Sequence, residues 1–354
     1  MRFGVFDHLE RIPGTPLPEL FRQRLELVKL ADEGGITGYH LAEHHGCELC
    51  MAPNQESFLS AVAAVTTRLR IGPLVKCLPL HAPLSLIQDI CILDNLSGGR
   101  LDYGVGRGVA PSEHAFFGHS WQEDRQRFDE TLDIVVQGLR TGKIDSEGRK
   151  FFDFPTIDVA MEPAQTPNPP FWYPGDPKTA GSRGMACVTF ARVTADLRQR
   201  YLTAWESNKD ELGRVDAPGQ RPLIGNAEVV AIADSAESAR EIVMRAQSGL
   251  GRRIRQAHEY DQRVIPPDEL EAALGTRRFL QGRRPGDAAV PGPQVPAGTV
   301  EMVRENYLAY AEEGNCDYVL LQLPTGDMTH LEAMHTLERF CEEVLPAVTA
   351  IGAG

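Results

Sequence analysis

A (β/α)8 barrel of the α/β class is the fold this sequence predicts, and three observations predict it. Short β-rich runs alternate with amphipathic helical segments from the first residues to the last. Eight such alternations can be counted, and no shift in composition marks a boundary between them. Parallel strands need a crossover, which repeated strand–helix units supply, so closure into a barrel is favoured over a doubly wound open sheet. The 354 residues could also make two average domains. Barrels of this kind, however, fill roughly 200 to more than 400 residues as one unit, so one domain over 1–354 is expected.

The elements follow in order. Arg2 to Phe6 reads as the first strand, and Leu20 to Ala31 as a helix ended by Gly34 and Gly35. Tyr39–Ala42 and Arg70–Lys76 are the next two strands, each followed by a helix, Phe58–Thr67 and Leu84–Leu96. Leu101–Val105 is the fourth strand, and Trp121–Leu139 a long amphipathic helix. After Pro-rich connections come strands at Phe171–Tyr173, Ala186–Ala191 and Leu223–Ala233. Helices are expected at Pro177–Gly184 and Ala195–Leu212, with another starting at Ala236–Gln247. Val300–Glu313 is helical, Tyr318–Leu323 is the eighth strand, and His330–Val344 is the closing helix. The stretch Gly249–Gly298 is Arg-, Pro- and Gly-rich and reads as a lid or insertion after the seventh strand, with local helix near Pro267–Leu274. Its basic runs, Arg252-Arg253-Ile254-Arg255 and Arg277-Arg278 through Arg283-Arg284, read as a solvated surface loop.

A net charge of −13 argues against a nucleic-acid or anionic-membrane partner. No apolar run approaches the roughly 20 residues that span a bilayer, and the N-terminus enters a strand at once, unlike a signal peptide. Seven cysteines, an odd number spread over the chain, suit a reducing compartment, so a cytoplasmic location is expected.

In a parallel barrel, chemistry sits on the loops after the strand C-termini. Those loops here carry Glu43-His44-His45-Gly46, Leu74-Val75-Lys76, Gly104-Val105-Gly106-Arg107-Gly108, Pro174-Gly175-Asp176-Pro177-Lys178-Thr179 and Pro324-Thr325-Gly326-Asp327. Paired histidines at a strand end can be merely satisfied polar groups. The glycine run departs from the G-x-G-x-x-G dinucleotide fingerprint, because its third glycine comes one residue early. An arginine among glycines is nonetheless suited to a bulky anion, since the backbone can be approached closely and the guanidinium offers a forked donor. Arg125 is a second candidate of the same kind. His40-Leu41-Ala42-Glu43-His44 matches the H-x-x-E-H pattern of inverted zinc peptidases, which requires a helix. On a strand, residues four apart lie about 13 Å from one another, too far to share one ion. No metal site is expected. Cys47-Glu48-Leu49-Cys50 has no second pair downstream and reads as two ordinary loop cysteines.

Together, Met1-Arg2-Phe3-Gly4-Val5-Phe6, Leu41-Ala42-Glu43-His44-His45, Leu93 through Leu101, Gly104 through Gly108 and Asp317 through Leu321 resemble the bacterial luciferase-like, flavin-dependent monooxygenase family. The resemblance runs from the first strand to the last helix and is densest up to about residue 130. It implies a TIM barrel and an insertion after the seventh strand. It also implies an enzyme that binds reduced FMN (FMNH2) supplied by a separate reductase. Such an enzyme reacts the flavin with O2 to a C4a-peroxyflavin and oxidises a small organic substrate. His44 matches the catalytic histidine, with His45 a secondary candidate and Glu43 beside the cofactor. Arg107 and Arg125 match contacts to the FMN phosphate. Leu74-Val75 matches a non-proline cis peptide beneath the flavin ring. Gly175, Asp176 and Thr179 match a phosphate-binding helix start. Two positions depart: Gly106 replaces a reactive cysteine, and Asp176 stands where a serine would help hold phosphate. An Asp is a favourable N-cap, yet it repels a phosphate dianion. Family members are often homodimers, and one is expected here. The competing readings are a non-catalytic luciferase β-like or flavin-binding subunit, a deazaflavin (F420)-dependent oxidoreductase and a zinc hydrolase.

Overall fold

The computed structural model describes residues 1–209, 213–276 and 296–351. In chain order the strands are β1 (Arg2–Asp7), β2 (Gly38–Leu41), β3 (Arg70–Pro73), β4 (Lys76–Cys77), β5 (Tyr103–Gly106), β6 (Lys143–Ile144), β7 (Ile157–Asp158), β8 (Phe171–Pro174), β9 (Ala186–Thr189), β10 (Ile224–Val229), β11 (Ala231–Ile232), β12 (Ala297–Gly298) and β13 (Tyr318–Gln322). The helices are α1 (Leu17–Glu33), α2 (Gln55–Val65), α3 (Pro83–Leu96), α4 (Pro111–Phe116), α5 (Asp124–Thr141), α6 (Pro177–Arg183), α7 (Ala195–Ser207), α8 (Ala236–Val264), α9 (Pro267–Thr276), α10 (Val300–Glu312), α11 (His330–Arg339) and α12 (Leu345–Ile351).

Nine strands pair in the order β3-β2-β1-β13-β10-β9-β8-β5-β4. Every pairing in that sheet is parallel. The two strands at the ends of the order, β3 and β4, are successive pieces of one run of chain, so the sheet returns on itself as a barrel. A parallel bridge from Ile71 to Leu101 closes the remaining seam. The third expected strand, Arg70–Lys76, is thus two strands, because the chain bends at Leu74–Val75, where the peptide bond is cis. The seventh expected strand also divides. β10 stays in the barrel, while β11 leaves it to pair with β12.

Both faces of the strands are buried, and the two faces feed different cores. On β13, Tyr318 and Leu320 join Phe6, Trp172, Val188 and Ala227 inside the barrel. Val319 and Leu321 point outward into the layer under the helices. A side-chain period of two, apolar on both faces, is why such strands read as continuous hydrophobic runs. The helices meet them with an apolar stripe. On α1, Leu20, Leu27, Val28 and Ala31 are fully buried at spacings of seven, one and three.

The structure corrects the reading of 249–298. Helix α8 runs unbroken to Val264 rather than stopping near Gln247, and α9 covers the expected local helix. Residues 277–295, with Arg277, Arg278, Arg283 and Arg284, lie outside the described residues. Arginine is a good helix former, so the basic run does not break α8. Gly249 is needed for close approach, since a Cβ there would lie 2.5 Å from the Asp327 backbone nitrogen. Nor is Arg253 on a solvated face. Its side chain is 4% exposed and pairs with Glu10 and Asp327, each at 3.2 Å. Arg252 pairs with Asp327 from the exposed side. At the C-terminus, the expected closing helix continues as a π turn, Phe340–Val344, into α12.

Removing one partner of a buried ion pair strands the other charge. Arg253→Ala is expected to destabilise the protein by about 3–5 kcal/mol in urea unfolding. Arg252→Ala, at an exposed pair, should cost at most about 1 kcal/mol. Equal effects from the two variants would contradict the buried role of Arg253.

Candidate active site at the C-terminal rim

Because all the barrel strands run one way, the loops after β2, β4, β5 and β8 open on one rim. The loop after β2 carries Glu43, His44 and His45. Glu43 is fully buried. Its Oε1 lies 2.8 Å from His45 Nε2 and 2.7 Å from His81 Nε2. Its Oε2 accepts the Cys77 N–H at 2.6 Å. Burial alone would raise the Glu43 pKa, but the hydrogen bonds from His45 and His81 and the charge of Lys76 outweigh it and hold the carboxyl well below its usual range. Glu43 is therefore an anchor, joining the β2 loop to β4. Lys76 is itself buried and salt-bridged to Glu56 at 2.8 Å.

His44 faces another carboxylate. Its Nδ1 lies 3.2 Å from Oε1 of Glu113, and the same oxygen accepts the His45 backbone N–H at 2.9 Å. Glu113 is buried on α4, the short helix that follows the glycine loop after β5. With Nδ1–H donating to Glu113, Nε2 of His44 is the nitrogen left to exchange a proton. The His8 ring stacks against His44 at 5.9 Å between centroids. Burial, reinforced by the neighbouring His44, lowers the His8 pKa to about 3, so His8 is neutral near pH 7. At α4 the backbone N–H of Ser112 donates to buried Asp261 of α8 at 2.9 Å. The far half of α8 therefore braces the helix that holds Glu113.

Leu74 and Val75 lie against β5. A Cβ on Gly106 would fall 2.6 Å from Val75 Cγ2, so this position, where the resemblance implies a cysteine, has no room for a side chain in the present packing. One residue on, Arg107 pairs with Asp124, the first residue of α5, at 3.3 Å. Arg125 is exposed beside it. Asp129, one helical turn further along α5, is raised by burial and lowered by the charges of Arg183, Arg125 and Arg107 in turn. The structure thus brings the charges of Arg183, Arg125 and Arg107 to bear on one carboxylate of α5.

The α6 end differs from expectation. Asp176 is the N-cap, and its own carboxylate accepts from Lys178 N–H at 3.4 Å, Thr179 N–H at 3.0 Å and the Thr179 hydroxyl at 2.8 Å. The donors assigned to phosphate are thus taken by a side chain of the same loop. Gly175, at φ 123°, makes the turn into the cap.

The H-x-x-E-H reading does not assemble. His40 points into the barrel, 3.3 Å from the Tyr318 hydroxyl, while His44 is turned to Glu113. A different trio among the described residues, Glu43, His45 and His81, brings its possible ligand atoms within 4.8 Å of one another. Its hydrogen bonds already satisfy the carboxylate, and the buried Lys76 ammonium acts on it. Cys47 and Cys50 are buried free thiols, pushed up to about 11 and about 12 by burial, which removes thiolate reactivity near neutral pH. Sequence reasoning missed His8, His81 and Glu113. His8 directly follows the end of β1 and could have been found by the strand-end rule. Nothing local distinguishes the other two.

The comparisons agree with this architecture. The luciferase-like monooxygenase family matches residues 1–315. The chain is 31% identical to an uncharacterized protein of Sinorhizobium fredii, over 98% of this chain and 97% of that one. It is also 31% identical to the oxygenase component of a flavin-dependent trigonelline monooxygenase from Acinetobacter baylyi, over 49% of this chain and 48% of that one. The oxygenating constituent of 3,6-diketocamphane monooxygenase from Pseudomonas putida, solved with FMN, shares the fold at a TM-score of 0.74, with 19% identity over 98% of each chain. This chain belongs to the luciferase-like monooxygenase family.

His40 makes the pH dependence of stability testable. Burial lowers its pKa from 6.5 to about 4, so the unfolded chain binds a proton there that the folded chain refuses. Stability from this group is whole above pH 6.5 and is lost as pH falls toward 4, by about 3 kcal/mol. Urea unfolding of His40→Gln across pH 4–7 should show a shallower loss than the wild type. Parallel curves would mean that His40 is protonated in place.

Proposed function

We propose that this chain is the oxygenase component of a two-component flavin-dependent monooxygenase. It takes reduced FMN from a separate reductase and, with O2, oxidises a small organic substrate. The observation that carries the reading is the His44–Glu113 pair, set on the same rim as the Leu74–Val75 segment and the arginine cluster. A protein that only bound flavin would need the arginines, but not an imidazole held by a buried carboxylate. The relatives, among them an oxygenase component and an oxygenating constituent solved with FMN, point the same way.

The residues fit the cofactor at two places. Arg107 and Arg125 would hold its phosphate, which requires Arg107 to exchange Asp124 for the stronger anion. Leu74 and Val75 would support its ring, with the Val75 side chain packed into the space that Gly106 leaves. Reduced FMN, when bound, supplies the activation of O2. The chain's own part is to orient, to exclude water and to move a proton at His44 Nε2, while Glu113 fixes the tautomer by accepting from Nδ1. The same reading takes the protein as a cytoplasmic homodimer. No helix among the described residues is long and apolar enough to cross a membrane, and Ile92 and Leu96, exposed on α3, supply apolar surface for a second copy.

The test is to mix protein with reduced FMN anaerobically, admit air with candidate substrates, and measure both flavin oxidation and incorporation of oxygen from labelled O2. Oxidation at the buffer rate, with no binding of reduced FMN, would sink the proposal. His44→Ala should slow turnover by about 10²–10⁴-fold with flavin affinity nearly unchanged. Glu113→Gln should raise the barrier by about 1.5–3 kcal/mol, the worth of a hydrogen bond to a charged group. Arg107→Ala, which removes a partly exposed guanidinium, should instead weaken flavin binding by at most about 1 kcal/mol.

A further inference from the structure

We propose that Asp176 is a specificity-determining residue that closes the α6 side of the cofactor's phosphate seat, so that this chain distinguishes FMN only weakly from its dephosphorylated form, riboflavin. The inference rests on the flavin reading above and concerns only how the two ends of the seat are built.

Three facts support it. The Asp176 carboxylate already fills the hydrogen-bonding capacity that α6 could offer, taking two backbone N–H groups and the Thr179 hydroxyl. A phosphate could use those donors only by displacing the carboxylate, and the displaced group would remain in the same loop, anion beside dianion. Compensation from neighbouring cations is limited as well. Arg183, on the last turn of α6, is held by Asp133 at 2.9 Å and by Asp129 at 3.9 Å. Lys178 is exposed and its charge is screened by solvent. The phosphate grip is therefore one-sided, carried by Arg107 and Arg125 from the α5 direction. Recognition then leans on the ring and ribityl chain, which FMN and riboflavin share.

The experiment is an anaerobic titration of the full chain with reduced FMN and, separately, reduced riboflavin, followed by quenching of tryptophan fluorescence. The variants are Asp176→Ser and Asp176→Asn. Both keep a residue type that caps helices well, so α6 should remain formed, and both remove the negative charge. In the wild type the two affinities should lie within about tenfold of each other. Asp176→Ser should tighten FMN by about tenfold or more and leave riboflavin unchanged, with Asp176→Asn giving part of that gain from loss of charge alone. Added salt should narrow the difference between wild type and variants, because the term removed is electrostatic. A wild type that prefers FMN by more than a hundredfold overturns the inference. So does a Ser variant in which both flavins shift together, since that reports a general change of the loop. Failure of the wild type to bind either flavin overturns the flavin reading itself, and this inference with it.

Discussion

A buried carboxylate is tolerated only when the chain surrounds it with donors, and the rim of this barrel is arranged around two of them. The Glu43 side chain has no exposed surface and draws in His45 from its own loop and His81 and the Cys77 N–H from a segment distant in sequence. Left unpaired, a charge so placed would cost several kcal/mol, so these loops cannot move apart independently. Glu113 is buried in the same way but turns its oxygen to His44 and to the His45 backbone. Between them the two acids divide the Glu43-His44-His45 run. One imidazole is committed to structure and the other is oriented with a nitrogen to spare. Adjacent histidines with equal claims in the sequence thus acquire unequal duties from their partners.

That division explains how far the sequence could be read. The barrel was legible because its strands are buried on both faces and its helices carry one apolar stripe, patterns that local order along the chain records. The rim loops were legible by position, since any residue just past a parallel strand is placed there by topology. The hydrogen-bond partners were not. Glu113 lies 69 residues from His44, and Asp261 lies 149 from Ser112. No periodicity links them, and only folding does. The same holds for Arg253, whose basic neighbours suggest a wet surface while its own side chain reaches 242 residues back to the Arg11 carbonyl. Composition reports what a segment contains, and burial depends on what lies opposite.

Continuity of α8 bears on the site for the same reason. A loop over 249–264 would leave α4 resting on its own single turn and a half, too short to be stable alone. As a helix, α8 brings Asp261 to the N-terminus of α4 and Arg253 to Glu10 and the Arg11 carbonyl beyond β1. Edge-to-face packing of Phe116 on Tyr260 adds an apolar contact between the same two helices. Orientation of His44 therefore depends also on α8, through one carboxylate bracing another's support.

The two sides of the rim differ in what they can offer an anion. On the α5 side one cation is held loosely by its carboxylate: Arg107 meets Asp124 at 3.3 Å, longer than a strong charge-assisted bond. Such a pair can open toward a better acceptor at small cost. On the α6 side the balance is reversed, because the N-cap is itself an acid and its three donors are satisfied within the loop. A serine at that position would cap the helix without a charge and bring a hydroxyl donor of its own. The aspartate caps the first turn of a seven-residue helix and takes up its free N–H groups. Helix capping and anion binding draw on the same orphan N–H groups, so a short helix at a binding rim can serve one of them fully or share them with neither fully served.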